Sequence, residues 1–389
     1  MPMPTPQDVA VFVDPVQPRR FDNDELFNPG SEDNLEGAHA PYFLLKDVFA
    51  ASGIEVHTAD HLMRGEHTRA TNVYFSLGLM DKYHALSGRQ DVVLSAFFTM
   101  EAANVQPSTF RRLPDASRHF RRIYSYAPAD ALAKFGCAGI ALRKLHIPYP
   151  YEGVFDDLWG RGDRRFLCLL NWNRLVRMTW QELYTERLRA LDHFSAFGEI
   201  DLYGLGWEEP PYRVGETWIP VTLTRINRAA HKHLPFLRIH PFERAVRRSY
   251  RGMAPSKYET QSGYTFTICY ENMAMPGWLN ENIFDCFMVG SIPIYLGPAD
   301  VTDYVPAECF IDKRRFSTYA ELRAYLHDLS PEDIRRYREN ARDFMGSDRM
   351  RPFGIESFVG IFASAVQDDV GVAVADPATL SARYRRRPA

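Results

Sequence analysis

The stretch from Cys269 to Gly297, CYENMAMPGWLNENIFDCFMVGSIPIYLG, places Glu271 and Glu281 among Asn272, Trp278, Asn280 and Asn282. Carboxylates and amides grouped in this way can hold a polar small molecule. Apolar runs that read as strands bound the stretch, YTFTICY (264–270) and SIPIYLG (291–297). Between them Ile283, Phe284, Phe287 and Met288 recur at helical spacing and read as a core face. The polar side chains therefore gather where a strand ends and a helix begins. In open α/β sheets this is the edge at which ligands bind.

The elements that must position these residues are legible along the chain. VAVFVDP (9–15), EVHTAD (55–60), TNVYFSLG (71–78) and DVVLSAFF (91–98) read as strands, and PYFLLKDVFAASG (41–53) reads as a helix stopped by Gly53. The pattern restarts with a strand at RFLCLLN (165–171), a helix at TWQELYTERLRALDHFSAFG (179–198) and a strand at EIDLYG (199–204). A long polar and basic connection runs from about Trp207 to Ser262. After YTFTICY, a helix over 277–290 and SIPIYLG come a strand at ECFIDK (308–313) and helices at TYAELRAYLHDL and PEDIRRYRENARDFM. Strands alternating with helices predict parallel sheets, and 389 residues exceed one ordinary core. The expected organisation is an α/β domain over 1–160, a second over 161–350, and a C-terminal helix and basic tail over 351–389, loosely held from about Asp376.

Composition narrows the function classes. The chain is 46% hydrophobic and 24% charged with a net charge of −3, which gives no overall attraction to nucleic acid. No apolar run reaches the roughly 18 residues of a spanning helix, and the N-terminus lacks the features of a secretory signal. Five scattered cysteines, with no CxxC pair, read as buried thiols of a reducing compartment. The expected location is cytoplasmic, with at most peripheral contact at the inner membrane face through RYRRR (383–387); such an arginine-rich end is more often a solvated tail.

YTFTICYEN, GWLNENIFDCFMVGSIPIYLG and VPAECFIDKRRF together resemble the nucleotide-sugar motif of the family 10 glycosyltransferases, the α-1,3/4-fucosyltransferases. ELYTERLRALDHF, IDLYGLGW and SYRG are similar to bacterial members, and TMEAANVQPSTF is similar to the family's acceptor-side motif. The resemblance is dense over about 165–345 and sparse before it. It implies a GT-B architecture, two Rossmann-like domains facing a cleft, with the acceptor on the N-terminal side and a GDP-sugar on the C-terminal side. It implies inverting transfer by single displacement, most simply of L-fucose from GDP-fucose onto a glycan hydroxyl. Glu101 then matches the general base, Arg187 the arginine on the diphosphate, Glu281 the glutamate on the ribose hydroxyls, and Glu271 with Asn272 the pair at the strand end. Trp278 replaces a motif tyrosine near the nucleotide, and Asn280 with Asn282 flank Glu281. These types suit the chemistry: a carboxylate takes a hydroxyl proton, a guanidinium forks onto phosphate oxygens, and a helix N-terminus offers N–H groups to an anion. Arg187 has Leu183, Tyr184, Ala190 and Leu191 as helical neighbours, so no local carboxylate claims its charge.

One departure bears on mechanism. The family has a lysine where this chain has Asn282. Arg174, Arg177, Arg247, Arg248, Arg251 and Lys257 are candidates to replace its charge, with Arg251 and Lys257 favoured. The alternatives are a non-catalytic sugar-nucleotide or glycan-binding relative, or a transferase with another donor sugar. The expected partners are a GDP-sugar and an oligosaccharide or glycoconjugate acceptor, without nucleic acid. No metal site and no essential divalent cofactor are expected. Asp22-Asn23-Asp24, although of DxD form, reads as a turn, and His231, His233 and His240 as surface or hinge histidines.

Overall fold

The computed structural model describes residues 4–32, 34–78, 82–174, 180–211, 221–234 and 241–384. The chain divides into two compact units, one of residues 1–152 with 350–389 and one of residues 153–349.

The first unit is built on β1 (Val9–Asp14), β2 (Glu55–Thr58), β3 (Thr71–Ser76), β4 (Val92–Phe98), β5 (Arg122–Ser125) and β6 (Arg143–Lys144). Their order is β2-β1-β3-β4-β5-β6, with every pair parallel. All six residues of β1 are buried, as a central parallel strand requires. Val9, Val11 and Val13 pack in one core with Leu44, Leu45, Val48 and Phe49 of helix α1 (Ala40–Ala51) and with Phe358, Val359 and Phe362. The last three lie on the helix Ile355–Val370, which returns the end of the chain to this unit. Phe362 stacks on Phe98 with ring centroids 5.0 Å apart, and the buried Asp369 carboxylate receives Arg121 and Arg122 at 2.9 and 2.8 Å.

The segment after this helix is docked rather than loose. Ala375 donates its N–H to the Ser52 hydroxyl at 2.8 Å, while Arg383 and Tyr384 both hold Asp47. Val374, Leu380 and Tyr384 pack against the core, which explains why these residues do not behave as a solvated tail. Residues 385–387 lie outside the described residues.

The second unit contains β7 (Arg165–Leu170), β8 (Ile200–Tyr203), β9 (Tyr264–Tyr270), β10 (Ile292–Leu296) and β11 (Ile311–Asp312). Their order is β11-β10-β9-β7-β8, again all parallel. Helix α3 (Tyr184–Ser195) buries Leu188, Leu191 and Phe194 against Leu167, Leu169, Ile200 and Leu202. The stretch expected as a polar connection carries helices Val221–His231 and Glu243–Ser249, then α4 (Lys257–Ser262). Helix α5 (Glu281–Met288) starts at Asn280, whose extended backbone and side-chain oxygen make it an N-cap, with Ile283, Phe284, Phe287 and Met288 all buried. All five cysteines are buried and free. In each sheet the first strand of the unit lies between its second and third. The chain therefore reverses direction across the sheet at β1/β3 and at β7/β9, the positions where such sheets open a crevice for ligands.

At the ends of β7 and β8 the chain has little room. Gly204, just past β8, has φ +141°, and a Cβ there would lie 2.1 Å from the Asn171 carbonyl oxygen. Gly204→Ala should therefore destabilise the protein by about 2–4 kcal/mol through backbone strain and steric displacement. Urea unfolding checks this, and an unchanged midpoint would contradict it.

Candidate functional site

The C-terminal ends of β7 and β9 are joined by Arg187 of α3. Its Nε donates to the Tyr270 carbonyl at 3.0 Å and its Nη1 to Asn171 Oδ1 at 2.8 Å, while Nη2 reaches Asn272 Oδ1 at 3.2 Å and the same Tyr270 carbonyl. The guanidinium lies 4.6 Å from the Tyr184 ring, and the Tyr184 hydroxyl also donates to Asn272 Oδ1 at 3.0 Å. A helical arginine is ordinarily solvated, but Arg187 is 5% exposed. It is a fixed cation set into the switch point.

Glu271 follows β9 and is fully buried. Its Oε1 accepts from the Tyr295 hydroxyl of β10 at 3.2 Å. It thereby ties the end of β9 to β10. Burial pushes its pKa up to about 8, with repulsion from Glu281 adding to the shift and Arg187 opposing it. At neutral pH Glu271 is mostly uncharged, so it does not repel an anion bound beside it.

Helix α5 supplies the rest of this edge. Asn280 Oδ1 caps the Asn282 N–H at 3.0 Å. Trp278 is buried at 3% exposure and packs at the turn before the helix. Glu281 is reached by solvent, yet crowding by protein atoms raises its pKa by desolvation, with Lys257 and Arg174 opposing that shift and Asp285 adding to it.

The two favoured replacement cations part company. Lys257, at the start of α4, places Nζ 2.6 Å from Asp285 Oδ2. Asp285 is one helical turn past Asn282, so this ammonium stands beside the position of the missing lysine. Arg251 instead pairs with Asp201 at 2.7 Å. Asp201 also receives Arg165 and Tyr264, the first residues of β7 and β9, so Arg251 is drawn toward the strand starts and away from Glu281. Arg247 is held by Glu243 at 2.9 Å, Arg174 is exposed with its charge felt at Glu281, and Arg177 lies outside the described residues. Sequence reasoning passed over Trp172, which is 41% exposed directly after β7 and lies under Arg174 at 4.5 Å. The available signal was a tryptophan immediately following a buried strand.

In the first unit Glu101 follows β4 at a bend and is half-buried, and the hydroxyls of Tyr42 and Tyr126 both feel its charge. On the same sheet Asp14 closes β1 at the switch point. It is buried against Lys82 Nζ at 2.9 Å and the Tyr74 hydroxyl at 2.7 Å, and burial raises its pKa. An acid ending an otherwise apolar first strand was its sequence signal. Asp22-Asn23-Asp24 forms a turn, and His240 lies outside the described residues.

Two parallel α/β units with ligand-type side chains at their strand ends define the GT-B class of glycosyltransferase fold. Its overall course is similar to that of Anabaena HepE, solved in complex with UDP-glucose, at a TM-score of 0.52 and 11% identity over 92% of this chain and 99% of that one. Residues 224–342, under a third of the chain, match the family model described as glycosyltransferase family 10 (fucosyltransferase), C-terminal part. It is 36% identical over 73 residues to the alpha-(1,4)-fucosyltransferase of Arabidopsis thaliana, covering 19% of this chain and 18% of that one. It is 32% identical over 72 residues to the mouse 4-galactosyl-N-acetylglucosaminide 3-alpha-L-fucosyltransferase 9, covering 18% and 20%. The matched stretch thus spans about a fifth of the length of these curated relatives.

Proposed function

We propose that the protein transfers L-fucose from GDP-fucose to a hydroxyl of a glycan acceptor, inverting the anomeric centre in a single displacement. The observation that carries this reading is the cationic edge at β7/β9, where Arg187 joins the two strand ends and Lys257 and Arg174 bring positive charge to Glu281 of α5. Glu281 accepts the ribose hydroxyls, and Trp278 and Asn272 shape the turn around the nucleotide. Arg187 and Lys257 stabilise the charge that grows on the diphosphate as its bond to the anomeric carbon breaks. The acceptor oxygen forms the new bond and its proton passes to the Glu101 carboxylate. Charge on the leaving group is met by side chains, so transfer does not depend on a divalent metal. The names of the matched fucosyltransferases support fucose as the sugar.

Asn282 favours a second reading, a nucleotide-sugar binder without transfer. The position of Lys257 answers that objection. Lys257→Gln, which can still hydrogen-bond Asp285, should weaken GDP binding about tenfold by calorimetry, the loss of roughly 1.4 kcal/mol of charge-assisted contact. Equal affinity would remove Lys257 from the site. The reading as a whole is tested by incubating the protein with GDP-fucose and a panel of galactose- and N-acetylglucosamine-terminated glycans. Fucosylated product with release of GDP is expected. GDP binding without product from any donor sugar would leave the binder reading in its place.

A further inference from the structure

We propose that the first unit carries a site for one divalent transition-metal ion of the zinc class, formed by Asp24, His57 and His61. The three residues come from different elements. Asp24 lies in the turn 22–24, His57 in β2, and His61 in the first turn of helix α2 (Ala59–Arg64). The turn is stitched to the strand–helix junction by Thr58, whose N–H donates to Asp24 Oδ1 at 2.8 Å and whose hydroxyl accepts from the Asp24 N–H at 2.9 Å. The Asn23 N–H is held by Asp60 Oδ2 at 3.1 Å. The carboxylate is therefore fixed before any ion arrives.

The geometry suits a small ion. His57 Nδ1 lies 2.8 Å and His61 Nε2 3.8 Å from the Asp24 carboxylate oxygens, and one ligand atom from each residue lies within 4.8 Å of the others. Tetrahedral zinc with bonds near 2.0–2.1 Å needs its ligand atoms about 3.3 Å apart, so small movements close the set. Two imidazole nitrogens with one carboxylate select the zinc class over magnesium or calcium, which take oxygen ligands. An outer partner is already in place: His61 Nδ1 meets Glu66 Oε2 at 2.8 Å. In the tautomer with the proton on Nδ1, that N–H donates to Glu66 at the shorter distance and the Nε2 lone pair faces Asp24, as metal-bound histidines require; ion binding selects this tautomer over the one in which Nδ1 accepts from Arg64 Nη2 at 3.1 Å.

His67 stacks on His57 with ring centroids 3.9 Å apart and stands 5.1 Å from the His61 ring, covering the cluster on one side. Asn23, Asp24 and His67 hold left-handed φ values of 56°, 63° and 54°. Such strain in non-glycine residues persists where the surrounding structure imposes it, and it concentrates at functional sites. The competing cations are Lys46, whose ammonium is 3.7 Å from Asp24 Oδ2 on a side chain 41% exposed, and Arg64, on the Glu66 side of His61 at 3.1 Å. Lys46 can swing into solvent, and Arg64 does not face the ligand set. The ion would clip the 22–24 turn to β2 and α2, a role independent of the donor-site reading.

The test is calorimetric titration of the metal-free full chain with Zn²⁺, paired with thermal unfolding. The wild type should bind one equivalent and gain thermal stability. His61→Gln and Asp24→Asn should bind at least tenfold more weakly and lose that gain, and Glu66→Gln should weaken binding by about 10- to 100-fold. If a ligand variant fails to fold, Glu66→Gln, which leaves the ligands in place, carries the comparison. Absence of saturable Zn²⁺ binding, or equal affinity in the wild type and the variants, overturns the proposal. So does loss of the ion in His119→Gln alone, which would place it on His84, Asp115 and His119.

Discussion

Glu271→Gln is expected to raise the melting temperature at pH 8 while leaving it nearly unchanged at pH 5. The carboxyl has an ordinary value of 4.5 and is pushed up to about 8 by burial in the folded protein. Between these values the folded chain keeps a proton that the unfolded chain has released. Stability contributed by the neutral carboxyl is therefore fully present below pH 4.5 and is lost as pH rises toward and through 8. Glutamine keeps an oxygen to accept from the Tyr295 hydroxyl and never ionises. At pH 8 the variant should be more stable by on the order of 4 kcal/mol. Thermal unfolding of both proteins across pH 5–9 reads the difference, and parallel curves would show that Glu271 does not titrate in this window. The consequence for ligand binding has the same sign: a neutral Glu271 spares a bound diphosphate a nearby negative charge, so GDP affinity should fall above pH 8.

The second large effect is expected at Glu101. Removing a general base costs roughly 10²- to 10⁴-fold in rate. Glu101→Gln should lower kcat for fucosyl transfer within that range, while GDP affinity stays at the wild-type value because Glu101 belongs to the first unit and GDP is assigned to the second. Single-turnover assays at saturating donor, alongside calorimetry with GDP, separate the two quantities. Equal kcat in both proteins would dismiss Glu101 as the base. A parallel loss of GDP affinity would instead make it a donor contact.

Much of this architecture can be read along the chain, for a physical reason. A central parallel strand is buried on both faces, so VAVFVDP and YTFTICY are nearly unbroken apolar runs; the first ends one residue past β1 and the second coincides with β9. PEDIRRYRENARDFM matches the helix Pro331–Met345 because Ser330 and Asp333 form a complete capping box and Pro331 takes the first helical position. Peripheral strands carry less signal. β5 begins with an arginine and β6 is the pair Arg143–Lys144, exposed at the sheet edge, where nothing demands apolar residues.

The same contrast holds at the candidate site. Glu271, Asn280 and Glu281 stand in a contiguous motif, so their meeting at one strand end was foreseeable. The burial of Arg187 was not, because its partners Asn171, Tyr270 and Asn272 come from two other strand ends. Lys257 and Arg251 looked alike in sequence and differ only in the acid each meets, Asp285 beside α5 or Asp201 on β8. The Asp24–His57 meeting crosses 33 residues, which hides it from any reading of local spacing.

The central claim is that the nucleotide of a GDP-sugar docks on the second unit at the β7/β9 strand ends. Its most direct test is a crystal structure grown with GDP. The diphosphate should lie against Arg187 and Lys257, with the ribose hydroxyls on the Glu281 carboxylate. GDP bound at any other part of the chain, with this edge left to solvent, would contradict the assignment of the donor site.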